Sequence, residues 1–460
     1  MTTRLRTANR PDTANARRVL GVMCAGMFLV LLDVTIVNVA LPSIGHSLHT
    51  DTAMQQWVVD GYVVAIAGLL LAGGAIGDRI GHRRVLLAGF AIFGAASLVC
   101  ALAPSVGVLI GARVVQGIGG ALLLPSTMAV IVDVFPSRGE QAKALGTWAA
   151  ISSVALPAGP LLGGLLIGGL GWRPVFWINV PLTIAAIIAT VAVVPERPRI
   201  PRAGRLDLPG LGGFVVGLGG FVFTVISAGH HVGWRILSIS TALTIAGLAT
   251  ALMSARRSTN PILPLDLLRR RNFLSPNIVA LTMNLVFNGT LFVGMLYLQD
   301  VQHLSPLVAG VSVLPLAIPL IALAPVSGRI TARRGPRTAL AIGCLLAIVG
   351  MPMLTQLRTD HGIAWLLAGF TLLGCAGGLV TASAVAAVVR ATPPDRSGLA
   401  TGVSNTSRQI GTATGVALFG AVAGSPASDH FVDGIHLLAL IATALWIVAL
   451  IITLTGIENR

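Results

Sequence analysis

Fourteen apolar windows follow one another along this chain, and each holds the roughly 20 residues needed to cross a hydrocarbon core about 30 Å thick. They occupy residues 18–42, 55–76, 84–104, 107–133, 143–169, 174–194, 209–228, 236–254, 273–298, 308–328, 338–356, 363–389, 398–423 and 434–456. With 55% hydrophobic residues, 10% charged residues and a mean hydropathy of +0.86, the composition excludes a soluble globular domain. The first window lacks a small-residue cleavage site, so we expect a retained helix and not a signal peptide. The sequence predicts an all-α integral membrane protein with 14 transmembrane helices.

The basic residues are distributed very unevenly between the two sides of these windows. If the N-terminus is cytoplasmic, 26 of the 31 Lys and Arg residues lie in cytoplasmic segments. Only Arg173, Arg235 and Arg358 lie outside, and Arg113 and Arg408 lie within windows. Because cytoplasmic loops carry the excess of Lys and Arg, both termini are predicted to be cytoplasmic. The net charge of +15 therefore reflects topology, and no nucleic-acid partner is expected.

One internal repeat divides the chain. GAIGDRIGHRR, beginning at Gly74, recurs as GRITARRGPR, beginning at Gly328, and each copy closes a window on the predicted cytoplasmic side. Such repeats are typical of transporters built from two parallel six-helix halves, which leaves two windows inserted between them. The predicted 6+2+6 domains are a disordered cytoplasmic tail (1–17), an N-terminal six-helix bundle (18–194), linkers with two inserted helices (195–272), a C-terminal six-helix bundle (273–456) and a second tail (457–460).

Three charged side chains fall inside the windows near the predicted outer face: Asp33, Arg113 and Asp60. At about 1.5 Å per residue they lie roughly 14, 9 and 8 Å from the outer ends of their helices. Because a charge in hydrocarbon costs about 3 kcal/mol on insertion scales, such residues are typical of functional sites. We therefore predict a proton-coupling cluster of these three residues. The alternatives are an Asp33 that merely pairs with a base, an Arg113 that is a simple counter-ion, and an Asp60 at a solvated helix end.

Four motifs resemble those of the major facilitator superfamily, in particular its fourteen-helix drug:proton antiporters. They are LDVTIVNVALP (32–42), GAIGDRIGHRR (74–84), RVVQGIGGA (113–121) and AGPLLGG (158–164), in order and at the expected helices. WVVDGY near Trp57 and NTSRQIG near Asn405 add to the likeness to antibiotic-resistance exporters. Two departures occur: His82 replaces a usual basic residue, and Ala155 replaces a glycine. The resemblance implies proton-coupled export of hydrophobic drugs or antibiotics across the bacterial plasma membrane by alternating access.

The resemblance also implies a set of gating residues. One group lies around the loop after the second window. There, Asp78 would face the N-terminus of the helix that begins near Gly398, and Arg79 or Arg83 would pair with Asp133. The other group lies in the fifth window. There, Ala155, Gly159 and Gly163 would pack against the C-terminal half, and Pro160 would bend the helix. The alternatives are surface chemistry without function for the loop and generic small-residue packing for the helix. The complete gating set is Gly74, Asp78, Arg79, Gly81, Arg83, Asp133, Gly159, Pro160, Gly163 and Gly164.

A largely apolar central cavity is the expected substrate site. Its proposed lining residues are Asn38, Gln116, Trp148, Asn284, Asn288, Tyr297 and Arg408. Some cation-exporting relatives carry acids in the penultimate helix, where this chain has Asn405, Arg408 and Gln409. This departure favours neutral, zwitterionic or anionic hydrophobic substrates. Arg408 is interpreted either as a site for a substrate anion or as part of an inner gate.

Other functional classes lack a signal in the sequence. The four cysteines lie in apolar windows without metal-ligand spacing, and His230 and His231 alone are poor evidence for a metal. GFVVGLGG near Gly213 resembles a phosphate loop only loosely and follows no strand. We expect no catalytic residues, no cofactor other than the coupling protons, and a multi-pass monomer in the plasma (inner) membrane whose partners are lipid and a small hydrophobic substrate. The alternatives are proton-coupled uptake of a metabolite, a membrane enzyme, and a non-transporting sensor.

Overall fold

The computed structural model describes residues 13–135, 138–196, 207–229, 232–258, 265–359, 363–392 and 397–458. All regular structure in these ranges is helical, and none of these residues forms a strand. The side of the bundle at which the first helix begins and the last one ends is called here the terminal side. The opposite side is the distal side. Long antiparallel helices joined by short turns connect the two sides.

The N-terminal bundle is built from residues up to Val193. Its helices are α1 (Thr13–Leu48), α2 (Thr52–Ile80), α3 (His82–Ala101), α4 (Val106–Val134), α5 (Arg138–Leu170), α6 (Pro174–Trp177) and α7 (Asn179–Val193). Asp51 caps α2 by accepting a 2.9 Å hydrogen bond from the backbone amide of Met54. Ser105 caps α4 in the same way through the amide of Val108. These caps set the distal ends of two helices that carry functional side chains.

The C-terminal bundle follows the same plan. Its helices are α10 (Leu265–Leu268), α11 (Arg271–Leu296), α12 (Pro306–Val311), α13 (Leu314–Arg334), α14 (Pro336–Gly350), α15 (Ile363–Arg390), α16 (Ser397–Ala423) and α17 (Phe431–Gly456). A π-helical turn, Tyr297–Val301, extends α11, and a 3-10 turn, Met351–Gln356, extends α14.

The sequence repeat has a structural counterpart at two glycines. Gly81 joins α2 to α3 with φ +97°, and Gly335 joins α13 to α14 with φ +81°. Only glycine adopts such angles without steric cost, so both copies of the repeat need glycine at the turn. The two glycines occupy matching positions in the repeated segment, which supports its interpretation as one turn used twice.

Two inserted helices, α8 (Leu208–Gly229) and α9 (Trp234–Arg257), form a hairpin between the bundles. Glycines bring them together: a methyl group built at Gly217 would lie 2.8 Å from Leu248 Cδ2, and one at Gly213 would lie 2.7 Å from Ala251 N. GFVVGLGG is therefore a close helix contact, which small residues favour in membranes. The hairpin packs on the rest of the protein through α8, which contacts both α2 and α16.

Among the described residues, 12 helical spans are long and apolar enough to cross a membrane. The long helices outside this set are α5, with 33 residues, and α16, with 27 residues. An all-helical membrane protein is thus confirmed, whereas the count of fourteen spans stays a prediction. The two bundles meet where α2 packs against α16 and where α5 packs against α12 and α13.

Candidate functional site

Asp33, in the middle of α1, lies completely buried inside the N-terminal bundle. Its Oδ2 forms an ion pair with Arg113 Nη1 from α4. Its Oδ1 accepts hydrogen bonds from Gln116 Nε2 and Asn179 Nδ2, each 2.9 Å long. Two helices, α4 and α7, therefore supply one cation and two neutral donors to the carboxylate of α1. The Asp33 cluster is defined here as Asp33, Arg113, Gln116, Asn179 and Ser97.

Arg113 is held equally firmly and is only 1% exposed. Its Nε donates to the carbonyl of Val58 at 2.9 Å, and its Nη1 also donates to Gln116 Oε1 at 2.7 Å. The guanidinium carbon lies 4.1 Å from the centre of the Tyr62 ring, within cation–π range. Arg113 thus ties α4 to α1 and α2 through one charged group.

Gln116 continues the network towards α3. Its Nε2 donates to Ser97 Oγ at 2.8 Å, and Ser97 Oγ donates to the carbonyl of Phe93 at 2.7 Å. Gln116 was predicted to line the substrate cavity, but it is fully buried and bonded within the Asp33 cluster. Its place in the substrate cavity stays a prediction; three residues after Arg113 on the same helix, it faces the same buried carboxylate. Asn179 and Ser97 were missed, because a single amide or hydroxyl in an apolar run gives no sign of its partner.

Asp60 does not belong to this cluster. It is completely buried in α2, and neither of its carboxylate oxygens has a hydrogen-bond partner. The alternative of a solvated helix end is therefore wrong. One helical turn before it, Gln56 Nε2 donates to the carbonyls of Val416 and Ala417 in α16, at 3.4 and 3.3 Å. Asp60 accordingly lies on α2, the helix of the N-terminal bundle that packs against α16 of the C-terminal bundle.

The small residues of α5 contact two different partners. A methyl group built at Gly163 would lie 3.1 Å from Ile36 Cγ1, and Thr35 Oγ1 donates to the carbonyl of Ala155 at 3.0 Å. The stripe of Ala155, Gly159 and Gly163 therefore packs against α1 of its own bundle, and its predicted packing against the C-terminal half is wrong.

The adjacent stripe of α5 meets the other bundle. A methyl group at Gly164 would lie 2.6 Å from Leu307 Cα, and one at Gly310 would meet the backbone of Pro160. The two stripes meet different partners because Pro160 and Gly164 lie about 100° round the helix from Gly159 and Gly163.

Further contacts join the bundles on the distal side. Gln299 Nε2 donates to the carbonyl of Val39 at 3.1 Å, and His46 Nε2 lies 3.2 Å from Asp300 Oδ1. The contact of Gln56 with α16 and the contact of α5 with α12 lie on the same side. Together with them, these contacts close the distal side.

Polar side chains around the turn after α2 contact one another within the N-terminal bundle. His82 Nε2 lies 3.3 Å from Asp78 Oδ1, one helical turn earlier. Arg83 donates to the carbonyl of Val191 at 2.9 Å and lies 3.6 Å from Glu196 Oε2. Glu196 was not predicted as the partner of Arg83. A pairing of Arg79 with Asp133, and the approach of Asp78 to the start of α16, stay predictions; Gly74 lies in α2 against Pro125 of α4.

The remaining predicted cavity residues do not share one location. Asn284 and Asn288 in α11 and Arg408 in α16 are half-buried near the middle of their helices. Asn38 is buried and donates to the carbonyl of Val34 in its own helix at 2.7 Å, and Trp148 of α5 is 8% exposed. Tyr297 is completely buried, and its hydroxyl donates to the carbonyl of Arg358 at 2.7 Å. Its place in the substrate cavity stays a prediction, and in this conformation it packs at the distal end of the C-terminal bundle.

Metal chemistry has no candidate ligands here, since the described residues contain no group of three or more His, Cys, Asp or Glu side chains placed to hold an ion. Residues His230 and His231 lie outside the described ranges.

Comparison with known proteins gives a consistent assignment. A family model described as Major Facilitator Superfamily matches residues 23–416. A methylenomycin A resistance protein of Streptomyces coelicolor is 35% identical over 413 residues, which cover 89% of this chain and 86% of that protein. The tetracenomycin C resistance and export protein of Streptomyces glaucescens is 34% identical, with coverage of 89% and 76%. The multidrug resistance protein Stp of Mycobacterium tuberculosis is 34% identical, with coverage of 86% and 74%.

Solved structures agree with the fold. The POT family transporter PepTSo matches with a TM-score of 0.69 at 15% identity, over 96% of this chain and 98% of that one. A POT family transporter in complex with 5-aminolevulinic acid matches with a TM-score of 0.71 at 14% identity, over 95% and 96%. The resemblance carried by the four sequence motifs is confirmed.

Proposed function

Because this chain belongs to the Major Facilitator Superfamily, we propose that it is a proton-coupled antiporter that exports hydrophobic drugs or antibiotics. Members of this family are transporters, so the chain is a transporter and not an enzyme. Its apolar spans and its relatives make it a multi-pass protein of the inner membrane. Its relatives are named for resistance to methylenomycin A, for resistance to and export of tetracenomycin C, and for multidrug resistance. Those names support a drug or antibiotic as the substrate of this chain.

The proposed topology has fourteen spans arranged as 6+2+6. α5 and α16 are long enough to cross the membrane at about 1.5 Å per residue, which would add two spans to the 12 apolar ones. An even number of crossings puts both termini on one side. The excess of Lys and Arg on the terminal side favours a cytoplasmic location for that side. The protein is proposed to act as a monomer in the bilayer, with protons as its only coupling ion.

Proton coupling is proposed to use the Asp33–Arg113 ion pair. Protonation of Asp33 would remove the anion that Arg113 binds, while Val58 and Gln116 would still accept hydrogen bonds from the guanidinium. The link between α1 and α4 would then weaken, so proton binding would change how these helices pack. Each proton that enters down a potential of about 100 mV supplies roughly 2.3 kcal/mol for this change.

Asp60 is proposed as a second proton site. An ionised carboxylate buried without a partner is costly, so the neutral form of Asp60 is favoured in this conformation. Its helix also contacts α16 of the other bundle through Gln56. A change of charge on Asp60 would therefore affect the packing of α2 against α16. That contact and the contact of α5 with α12 are here called the seam between the bundles.

Alternating access would proceed by rocking the two bundles about a central site. The distal contacts between Gln299 and Val39, and between Gly164 and Leu307, support a conformation closed on that side. The terminal side, proposed to be cytoplasmic, would then be the side from which substrate enters. Arg79, Arg83 and Asp133 at that side are the proposed gating residues of the opposite conformation.

The observation that carries this proposal is the fully buried Asp33–Arg113 pair within a two-bundle transporter. A test is the accumulation of methylenomycin A and tetracenomycin C in a drug-sensitive bacterial host, with and without an uncoupler. Export predicts lower accumulation of at least one compound, reversed by the uncoupler and absent in an equally expressed Asp33→Asn variant. Higher accumulation would support proton-coupled uptake, and an effect insensitive to the uncoupler would exclude proton coupling.

A further inference from the structure

Arg408 is a cation placed deep in the C-terminal bundle. It is the twelfth residue of α16, a helix of 27 residues, so it lies about 17 Å from the start of that helix. The side chain is half-buried. Among the described residues it has neither an ion-pair partner nor a side-chain hydrogen bond. A cation at this depth costs about 3 kcal/mol on insertion scales, which makes an unpaired one a candidate site for an anion.

No acid on the helices that pack against α16 forms an ion pair with Arg408 among the described residues. Of the helices that pack against α16, α8, α11 and α15 contain no Asp or Glu, and Asp433 of α17 lies in the first turn of that helix, at the distal side. Across the seam in α2, Asp60 has no bonded partner, and Arg408 does not form an ion pair with it. The charge of Arg408 is therefore available to a ligand in this conformation.

Polar groups accompany Arg408 on the side of α16 that turns towards α11. One turn along the helix, Thr412 Oγ1 accepts a 3.1 Å hydrogen bond from Asn288 Nδ2. A methyl group built at Gly411 would lie 3.2 Å from Asn284 Cβ, so this asparagine adjoins the same surface. Asn405 and Gln409 are half-buried and have no hydrogen-bond partner among the described residues. Asn405, three residues before Arg408, lies about 60° round the helix from it, so its amide adds a donor on that side.

These groups suit one class of ligand. A guanidinium binds a carboxylate through two parallel hydrogen bonds, and amide donors extend such a site. We infer that the central site binds amphipathic anions, with a carboxylate on Arg408 and the apolar body against the apolar faces of α11 and α16. This inference rests on the proposed function, since it takes these helices to line the transport site.

The test is equilibrium binding to the purified full-length protein in detergent micelles at neutral pH, followed by dansyl fluorescence. The probes are dansylglycine, which is a carboxylate, its neutral amide, and the cationic amine dansylcadaverine. The proteins are wild type, Arg408→Gln, Arg408→Lys, and Arg235→Gln as a control on the exposed start of α9. Charge-assisted hydrogen bonds predict that wild type binds dansylglycine roughly 10- to 100-fold more tightly than the amide.

Arg408→Gln should lose this preference while its affinity for the amide stays within about twofold, a change too small for a lost charged contact. Arg408→Lys should keep part of it, because lysine retains the charge but not the planar fork. Arg235→Gln should behave as wild type.

A wild type that binds the amide or the amine as tightly as dansylglycine, or that binds none of the three, would overturn the inference. So would an Arg408→Gln protein that keeps the preference but transports poorly, which would mark Arg408 as a gate residue. Binding needs no proton gradient, so a carboxylate preference without uncoupler-sensitive export would refute only the proposed function.

Discussion

Removing the charge of either Asp33 or Arg113 alone should destabilise the protein far more than removing both charges together. Each single variant leaves one buried charge without its partner, which costs about 3–5 kcal/mol. In Asp33→Asn, Arg113 keeps its bonds to Val58 and Gln116 but loses its counter-ion. In Arg113→Gln, Asp33 keeps only the neutral donors Gln116 and Asn179. The two single penalties together are therefore expected to reach roughly 6–10 kcal/mol.

The double variant Asp33→Asn, Arg113→Gln removes both charges and leaves neutral amides that can bond each other. Its cost should be about 1–3 kcal/mol, the scale of one or two altered hydrogen bonds. The coupling free energy of the cycle is then expected to exceed about 3 kcal/mol. It is measured by equilibrium unfolding of the four proteins in mixed detergent micelles, followed by circular dichroism.

A matched control is the exposed pair of Arg84 and Glu196. Arg84 Nη2 lies 2.7 Å from Glu196 Oε1, but the side chains are 51% and 55% exposed. Solvent screening limits such pairs to about 1 kcal/mol or less. A coupling free energy at Asp33 and Arg113 no larger than that of the control would refute the burial and pairing described for the Asp33 cluster.

Two further predictions concern the seam between the bundles. Gly164→Leu should abolish export while leaving membrane insertion intact, since its side chain would meet Leu307 of α12, whereas Gly168→Leu has open space and should export normally. Equal export by both variants in the accumulation assay would contradict this packing. Asp60→Asn should shift the midpoint of thermal unfolding in detergent by less than about 2 °C, because Asp60 has no hydrogen bond to lose. It should nevertheless reduce uncoupler-sensitive export; a large loss of stability with normal export would exclude Asp60 as a proton site.

The sequence predicted the helical fold well because membrane-spanning segments leave a strong hydropathy signal. Gly81 and Gly335 illustrate this, since a repeat visible in the letters became one turn geometry used twice. Twelve of the predicted spans were confirmed as apolar helices among the described residues. The number of membrane spans is harder to predict, as α16 shows, because its amides and Arg408 lower its hydropathy.

The candidate site was predictable only where a charge stood out. Asp33 and Arg113 were identified as costly intramembrane charges, and the structure brings them into contact. Asn179 and Ser97 carry no charge and gave no comparable signal. Helix faces were harder still: Gly163 and Gly164 are neighbours in sequence, yet one contacts α1 and the other α12. A shift of one residue along the helix changes which helix is contacted, and hydropathy alone does not determine that contact.

The central claim, that Asp33 carries protons coupled to export, is tested most directly by substrate-driven proton flux. Wild type and Asp33→Asn would be reconstituted into liposomes that enclose a pH-sensitive dye, and tetracenomycin C or methylenomycin A would be added outside. Wild type should move protons opposite to at least one compound, and Asp33→Asn should bind that compound but move no protons. Substrate-driven proton flux of equal size in Asp33→Asn would contradict the account.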